Sequence, residues 1–138
     1  MSCLLDTNVL SEIRKGGQAN TGVQHWLAAT QVEDIHVSVI VLGEIRRGVE
    51  WIRRRDVAQA VVLERWLEQL QVIYLETILP IDVRVADLWG RLQVPNPLPE
   101  VDGLLAATAL VHDLVLVTRN VKDVQATGVR CLNPFDAP

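Results

Sequence analysis

The chain has 138 residues, which suits one domain with a sizeable core and leaves no room for two. Hydrophobic residues make up 49% of it and charged residues 22%, a balance that excludes a disordered chain. Thirteen Lys and Arg against seventeen Asp and Glu give a net charge of −4, a sign that argues against a nonspecific polyanion binder.

Cys3-Leu4-Leu5 reads as a short apolar strand bounded by the polar turn residues Asp6-Thr7-Asn8. Residues 9–14 follow as a short helix stopped by Gly16-Gly17. Residues 21–30 form a second helical stretch, with Val23, Trp26 and Leu27 at helical spacing. Residues 35–38 read as a strand. From Val39 the apolar positions Leu42, Ile45, Val49 and Ile52 recur every three or four residues, the mark of a long amphipathic helix. Another helix begins near Asp56, with Val62, Leu63, Trp66, Leu67 and Leu70 as its stripe, and residues 72–75 are strand-like. Residues 82–92 are helical, with Val85, Leu88, Trp89 and Leu92 facing inward. The three prolines of residues 94–99 enforce a loop. Residues 100–112 make an Ala- and Leu-rich helix. Residues 114–118 are an unbroken apolar strand of the kind buried on both faces of a parallel sheet, and residues 129–132 are the last strand. This alternation predicts a three-layer α/β/α domain over residues 1–138, with a mostly parallel central sheet.

Several chemistries are absent from the sequence. The longest apolar runs, such as residues 37–42, fall far short of the ~20 residues of a membrane span. The start Met1-Ser2-Cys3-Leu4-Leu5-Asp6 lacks the basic opening of a signal peptide, so a cytoplasmic protein is expected. Cys3 and Cys131 are read as buried free thiols rather than a disulfide. His25, His36 and His112 are isolated, and neither Cys-x-x-Cys nor His-Glu-x-x-His occurs. Gly-x-Ser-x-Gly and a glycine-rich phosphate loop are missing too. Trp26, Trp51, Trp66 and Trp89 sit on apolar helical faces, as core or dimer-interface residues do.

The acids carry the positive signal. In an open parallel sheet, ligands bind beyond the carboxyl ends of the strands. Asp6 ends the first strand, where it serves as a cap or as a site residue. Glu44 stands in the apolar opening of the helix that follows the second strand. Asp102 lies near the start of a helix and shares a face with Leu105, Ala106 and Ala109, which is otherwise the core stripe. Burying that carboxylate costs several kcal/mol. A helix N-terminus returns only about 0.3–1 kcal/mol, and a bound cation would supply the remainder. Asn120 and Asp123 lie just past the fifth strand-like segment, on the same rim. Carboxylates gathered in this way fit a hard divalent cation with oxygen ligands, hence Mg²⁺- or Mn²⁺-assisted phosphoryl transfer or hydrolysis.

Five motifs in order resemble the PIN-domain toxins of the VapC type, and more narrowly their FitB-like branch. They are Leu4-Leu5-Asp6-Thr7-Asn8-Val9-Leu10-Ser11-Glu12, the run from Ser38 to Gly48 with Glu44 at its centre, Ala86-Asp87-Leu88-Trp89-Gly90-Arg91-Leu92, the run Asp102-Gly103-Leu104-Leu105-Ala106-Ala107-Thr108-Ala109, and the closing pair 116–123 and Leu132-Asn133-Pro134-Phe135. The resemblance spans essentially the whole chain. It implies a metal-dependent ribonuclease, the toxin of a type II toxin–antitoxin pair, that hydrolyses RNA phosphodiester bonds with metal-activated water.

On this resemblance Asp6, Glu44 and Asp102 match the metal-binding acids, with Mg²⁺ as the cofactor and Mn²⁺ as a substitute. Thr7 and Ser38 match small hydroxyl positions beside them. Many PIN domains carry Asp where Asn120 stands here, so Asp123 is the candidate for the fourth acidic role. The resemblance further implies a homodimer, extending to a hetero-oligomer, and a VapB/FitA-like antitoxin whose arm covers the acidic groove. Eleven of the thirteen cations are Arg. Arg46, Arg47, Arg119 and Lys122 are the candidates for meeting RNA phosphates. The competing reading is a catalytically weak PIN scaffold that acts with its antitoxin as a transcriptional co-regulator, and Asn120 is the feature that favours it.

Overall fold

The computed structural model describes residues 1–136, so the last two residues of the expected 1–138 domain lie outside it. Five strands form one sheet: β1 (Cys3–Leu5), β2 (Ile35–Ser38), β3 (Ile78–Leu79), β4 (Val115–Val117) and β5 (Cys131–Leu132). Their order is β3-β2-β1-β4-β5, and every pairing is parallel. The helices are α1 (Thr7–Ile13), α2 (Thr21–Ala28), α3 (Val39–Arg53), α4 (Val57–Ile73), α5 (Val83–Leu92), α6 (Glu100–Val111) and α7 (Val121–Val124). The expected α/β/α architecture with a parallel sheet is the one observed.

The sheet is parallel because its strands are apolar on both faces. Cys3, Leu4 and Leu5 of β1 and Val115, Leu116 and Val117 of β4 are all buried. Helices close over them with Val9 and Leu10 of α1, Val41, Ile45 and Val49 of α3, and Leu105, Ala106 and Ala109 of α6. α3 packs against α4, and α5 against α6. The second of these contacts is close at Gly103, where a Cβ would lie 3.2 Å from the Trp89 indole.

Topology then locates the site. From β1 the chain builds outward through β2 to β3, and afterwards crosses back to lay β4 and β5 on the other side of β1. The order therefore reverses between β1 and β4. At such a switch point the following loops part and leave a crevice at the carboxyl ends of the strands.

Several boundaries differ from the expectation, among them the ends of α2 at Ala28 and of β4 at Val115 and Val117. The apolar run 72–75 is not a strand: α4 continues to Ile73, Tyr74 caps it, and a single 3-10 turn (Leu75–Thr77) leads into the short edge strand β3. Tyr74 is buried in step with Leu67 and Leu70, so the helical stripe overrides the local β propensity, while Val72 and Ile73 face outward. α1 starts two residues early because Asp6 caps it, and the last strand shrinks to Cys131–Leu132. Cys3 and Cys131 are free, the first buried and the second half-buried. Trp26 and Trp66 pack on the core, whereas Trp51 projects from α3 with 65% of its surface exposed. Among the described residues no helix is long and apolar enough to cross a membrane.

Leu105 is fully buried and Val72 is 76% exposed. Leu105→Ala is expected to cost about 2–5 kcal/mol, and Val72→Ala to stay within about 0.5 kcal/mol. Urea unfolding monitored by circular dichroism measures both.

Candidate active site

Asp6 is the first residue beyond β1, and its backbone N–H donates to the Val117 carbonyl at 2.9 Å, which ties it to the neighbouring strand. Its carboxylate is enclosed, with 6% of the residue exposed. Oδ1 accepts the Thr7 backbone N–H at 2.7 Å, capping α1. Oδ2 accepts the Thr118 hydroxyl at 2.7 Å and the Asn8 amide at 3.3 Å. Burial raises the Asp6 pKa above the ordinary carboxylate value, and the negative charge of Glu44 adds to the rise, against the pull of these three donors. The cap and site readings of Asp6 are both true of one side chain.

Glu44 reaches the same place from α3, one and a half turns past the Ser38 cap. Its Oε1 accepts the Thr7 hydroxyl at 2.6 Å, and its Oε2 lies 3.9 Å from the Arg47 guanidinium. Ser38 is fully buried at the end of β2, and its Oγ accepts the Ile40 N–H at 3.2 Å. Thr7 therefore couples Asp6 to Glu44 through its backbone and its hydroxyl, while Ser38 fixes the start of the helix that carries Glu44.

Asp102 is the third residue of α6, half-buried, on a helix whose N-terminus lacks a side-chain cap. Its pKa is pushed up to about 6. Burial is the main cause, followed by the charges of Asp6, Asp123 and Glu44. Those causes bring Asp6, Glu44, Asp102 and Asp123 into one electrostatic cluster at the switch point. Asp123 comes from α7 and is exposed. Asn120 precedes α7, its N–H donating to Thr118 Oγ1 at 2.9 Å, with its side chain outward.

Thr118 is absent from the site residues predicted by sequence, yet its buried hydroxyl donates to Asp6 and accepts from Asn120. Asn8 is a second such residue; it donates to Asp6 and accepts the Arg119 N–H at 3.3 Å. The available signal is a single hydroxyl residue at the end of an all-apolar strand. The cations divide. Arg46 does not face the site: it is held by Glu50 and Glu64, with Arg53 in the same network, along the seam between α3 and α4. Arg47 stands beside Glu44, and Arg119 and Lys122 lie on the rim with Asp123.

The donor set suits a hard divalent cation in its chemistry. All four ligand candidates are carboxylates, and among the described residues only Glu44 has a Lys or Arg partner, the distant Arg47. Burial first, and after it the like charges of Asp6, Asp123 and Glu44, disfavour the ionised Asp102, and a cation would offset both. They are not drawn into a finished cage, since no three His, Cys, Asp or Glu side chains among the described residues are grouped closely enough to grip an ion. Glu44 turns to Thr7.

Comparison with known proteins places the chain in a family. Residues 3–126 match the PIN domain. The chain belongs to the PIN-domain family. It is 32% identical to Toxin FitB of Neisseria gonorrhoeae over 96% of this chain and 97% of that protein. It is 29% identical to VapC ribonuclease Y4jK of Sinorhizobium fredii, with the same shares covered. Among solved structures, FitAcB from Neisseria gonorrhoeae superposes with a TM-score of 0.87 at 33% identity, covering 97% of this chain and 99% of that one. FitAB bound to an IR36 DNA fragment gives 0.86 at 31%, covering 99% and 97%. The matched span of the PIN domain contains all four acids.

Two outcomes follow from the electrostatics. A carboxyl raised on folding favours the protonated folded state, so its stabilising contribution is present below the unfolded value of 3.8 and is lost as pH rises through about 6. In EDTA the melting temperature is expected to fall across that window. Asp102→Asn is expected to melt above the parent at about pH 7.5, with the gain shrinking toward pH 4, and Mg²⁺ or Mn²⁺ should raise the parent's midpoint but not the variant's. Thr118→Val removes one donor from Asp6 while keeping its shape, and titration calorimetry should show Mn²⁺ affinity falling about 10- to 100-fold with the fold intact.

Proposed function

We propose that this PIN-domain protein is the toxin of a toxin–antitoxin pair and that it hydrolyses phosphodiester bonds of RNA with the help of Mg²⁺. The observation that carries the reading is the convergence of Asp6, Glu44, Asp102 and Asp123, without strong cationic partners, at the switch point of the sheet. Full-length similarity to a named toxin and a named VapC ribonuclease supports it.

Asp6, Asp102 and Glu44 would hold the cation, with Asp123 completing the acidic rim. When bound, a hard divalent cation supplies positive charge at the scissile phosphate and makes water a stronger nucleophile at neutral pH. The chain's own work is arrangement. Thr7, Asn8 and Thr118 donate to the Asp6 carboxylate, which favours its ionised form against its burial and fixes its orientation. Thr7 holds Glu44 facing the same crevice. Asp102 is presented by the first turn of α6, a helix packed against α5, and shares the field of Asp6, Asp123 and Glu44. Attack by water rather than by the ribose 2′-hydroxyl leaves the phosphate on the 5′ end of the downstream fragment.

The partners in this reading are the RNA substrate and a VapB/FitA-like antitoxin laid over the acidic crevice, on a homodimer or larger hetero-oligomer in the cytoplasm. The relatives solved as FitAB and FitAcB support the antitoxin.

Purified protein with single-stranded RNA and Mg²⁺ is expected to yield fragments with 5′-phosphate ends, and EDTA should stop the reaction. Asp6→Ala and Asp102→Asn should each lower cleavage at least about 100-fold, since loss of a ligand exceeds the effect of losing a supporting group. Full cleavage by Asp6→Ala overturns the assignment. A folded protein that binds its antitoxin and cleaves nothing is instead the scaffold that Asn120 favours.

A further inference from the structure

The closing motif Asn133-Pro134-Phe135 has no place in the acid cluster, yet it ends directly behind Arg119. The Arg119 guanidinium carbon lies 4.5 Å from the centre of the Phe135 ring, within cation–π range. The ring is set by a local turn in which the Phe135 N–H donates to Asn133 Oδ1 at 3.0 Å and the Asn133 amide donates to Asp136 at 3.1 Å. A hollow of about 510 Å³ opens in front, walled by Arg119, Asn120, Val121, Lys122, Asp123, Asn133 and Asp136, so that two cations face two carboxylates across it. Phe135 does not line it, so the ring backs the guanidinium and leaves the hollow to the cation.

Two ties connect this hollow to the acids. Asp123 lines it and its charge acts on Asp102. The Arg119 N–H donates to Asn8, whose amide in turn holds Asp6. Arg119 and Lys122 have no carboxylate within ion-pair distance among the described residues, as is true of Arg14, Arg54, Arg55 and Arg65, whereas Arg46 and Arg53 are held by Glu50 and Glu64.

We infer that the hollow between Arg119, Lys122 and Asn133 is a subsite for one nucleotide of single-stranded RNA next to the cleaved phosphate, with Phe135 as the positioning residue for Arg119. This inference rests on the ribonuclease reading above. The volume falls within the range of small-ligand pockets. The guanidinium fork and the Lys122 ammonium suit a backbone phosphate, and the planar guanidinium, stiffened from behind, offers a stacking face to an unpaired base. Asn120 and Asn133 add amide donors and acceptors at the wall.

Binding of a fluorescein-labelled 12-nucleotide single-stranded RNA tests it, measured in the Asp102→Asn protein so that the RNA survives. Arg119→Ala and Phe135→Leu should each weaken binding about tenfold. The double variant should be no worse than either single change, because the ring acts through the guanidinium. Phe135→Tyr should bind like the parent. Arg119→Ala should flatten the salt dependence by about 0.7 in log–log slope, the loss of one phosphate contact on a single strand. With all the site acids intact, Phe135→Leu should raise KM and leave kcat near the parent's. Unchanged binding by Arg119→Ala, an exposed position, overturns the subsite; additive losses in the double variant overturn the role of Phe135. If the parent neither binds nor cleaves RNA, the ribonuclease reading falls and takes the subsite with it.

Discussion

The structure turns on one buried carboxylate. Asp6 sits at the end of the central strand, where the strand order reverses, and it is enclosed almost as fully as its apolar neighbours. A charge in that position has to be satisfied by the protein itself. Thr7, Asn8 and Thr118 meet that requirement from both sides of the switch point, and none of them stops there. Thr7 also holds Glu44, Asn8 also anchors Arg119, and Thr118 also receives Asn120. Solvating one carboxylate therefore organises the whole rim, and the remaining acids arrive at positions already defined.

Much of this is legible in the chain. The uninterrupted apolar strands 3–5 and 115–117 announce a sheet buried on both faces, and the three- and four-residue spacing of Leu42, Ile45 and Val49 places α3. The acids Asp6 and Asp102 stand out because each interrupts an otherwise apolar context. What sequence does not reveal lies in contacts between distant segments. The run 72–75 is ambiguous because its apolar residues satisfy a strand and the tail of a helix alike, and only the packing of Tyr74 beside Leu70 decides. Arg46 follows Glu44 closely enough to invite a substrate role, but Glu64, eighteen residues away on α4, claims it. Thr118 lies 112 residues from Asp6, and no local pattern links them.

The charge balance acquires a different meaning once placed in space. The excess of four acids over bases equals the number of carboxylates in the cluster, so the remainder of the sequence is neutral, with thirteen acids against thirteen bases. Along α3, α4 and α5 opposite charges are paired off as surface ion pairs. Those pairs contribute little stability at the surface. They do remove cations from circulation, and so leave the basic character of the crevice to Arg47, Arg119 and Lys122.

The two ends of the sheet carry a further consequence. Both edge strands, β3 and β5, are only two residues long. An extended peptide that adds itself to a sheet needs a run of unpaired backbone N–H and C=O groups, and an edge this short offers almost none. The fold thereby discourages its own strands from templating aggregation. It also dictates the manner of its associations: a partner segment has to recognise side chains on helices or along the crevice, because the backbone presents no open ladder for it to join.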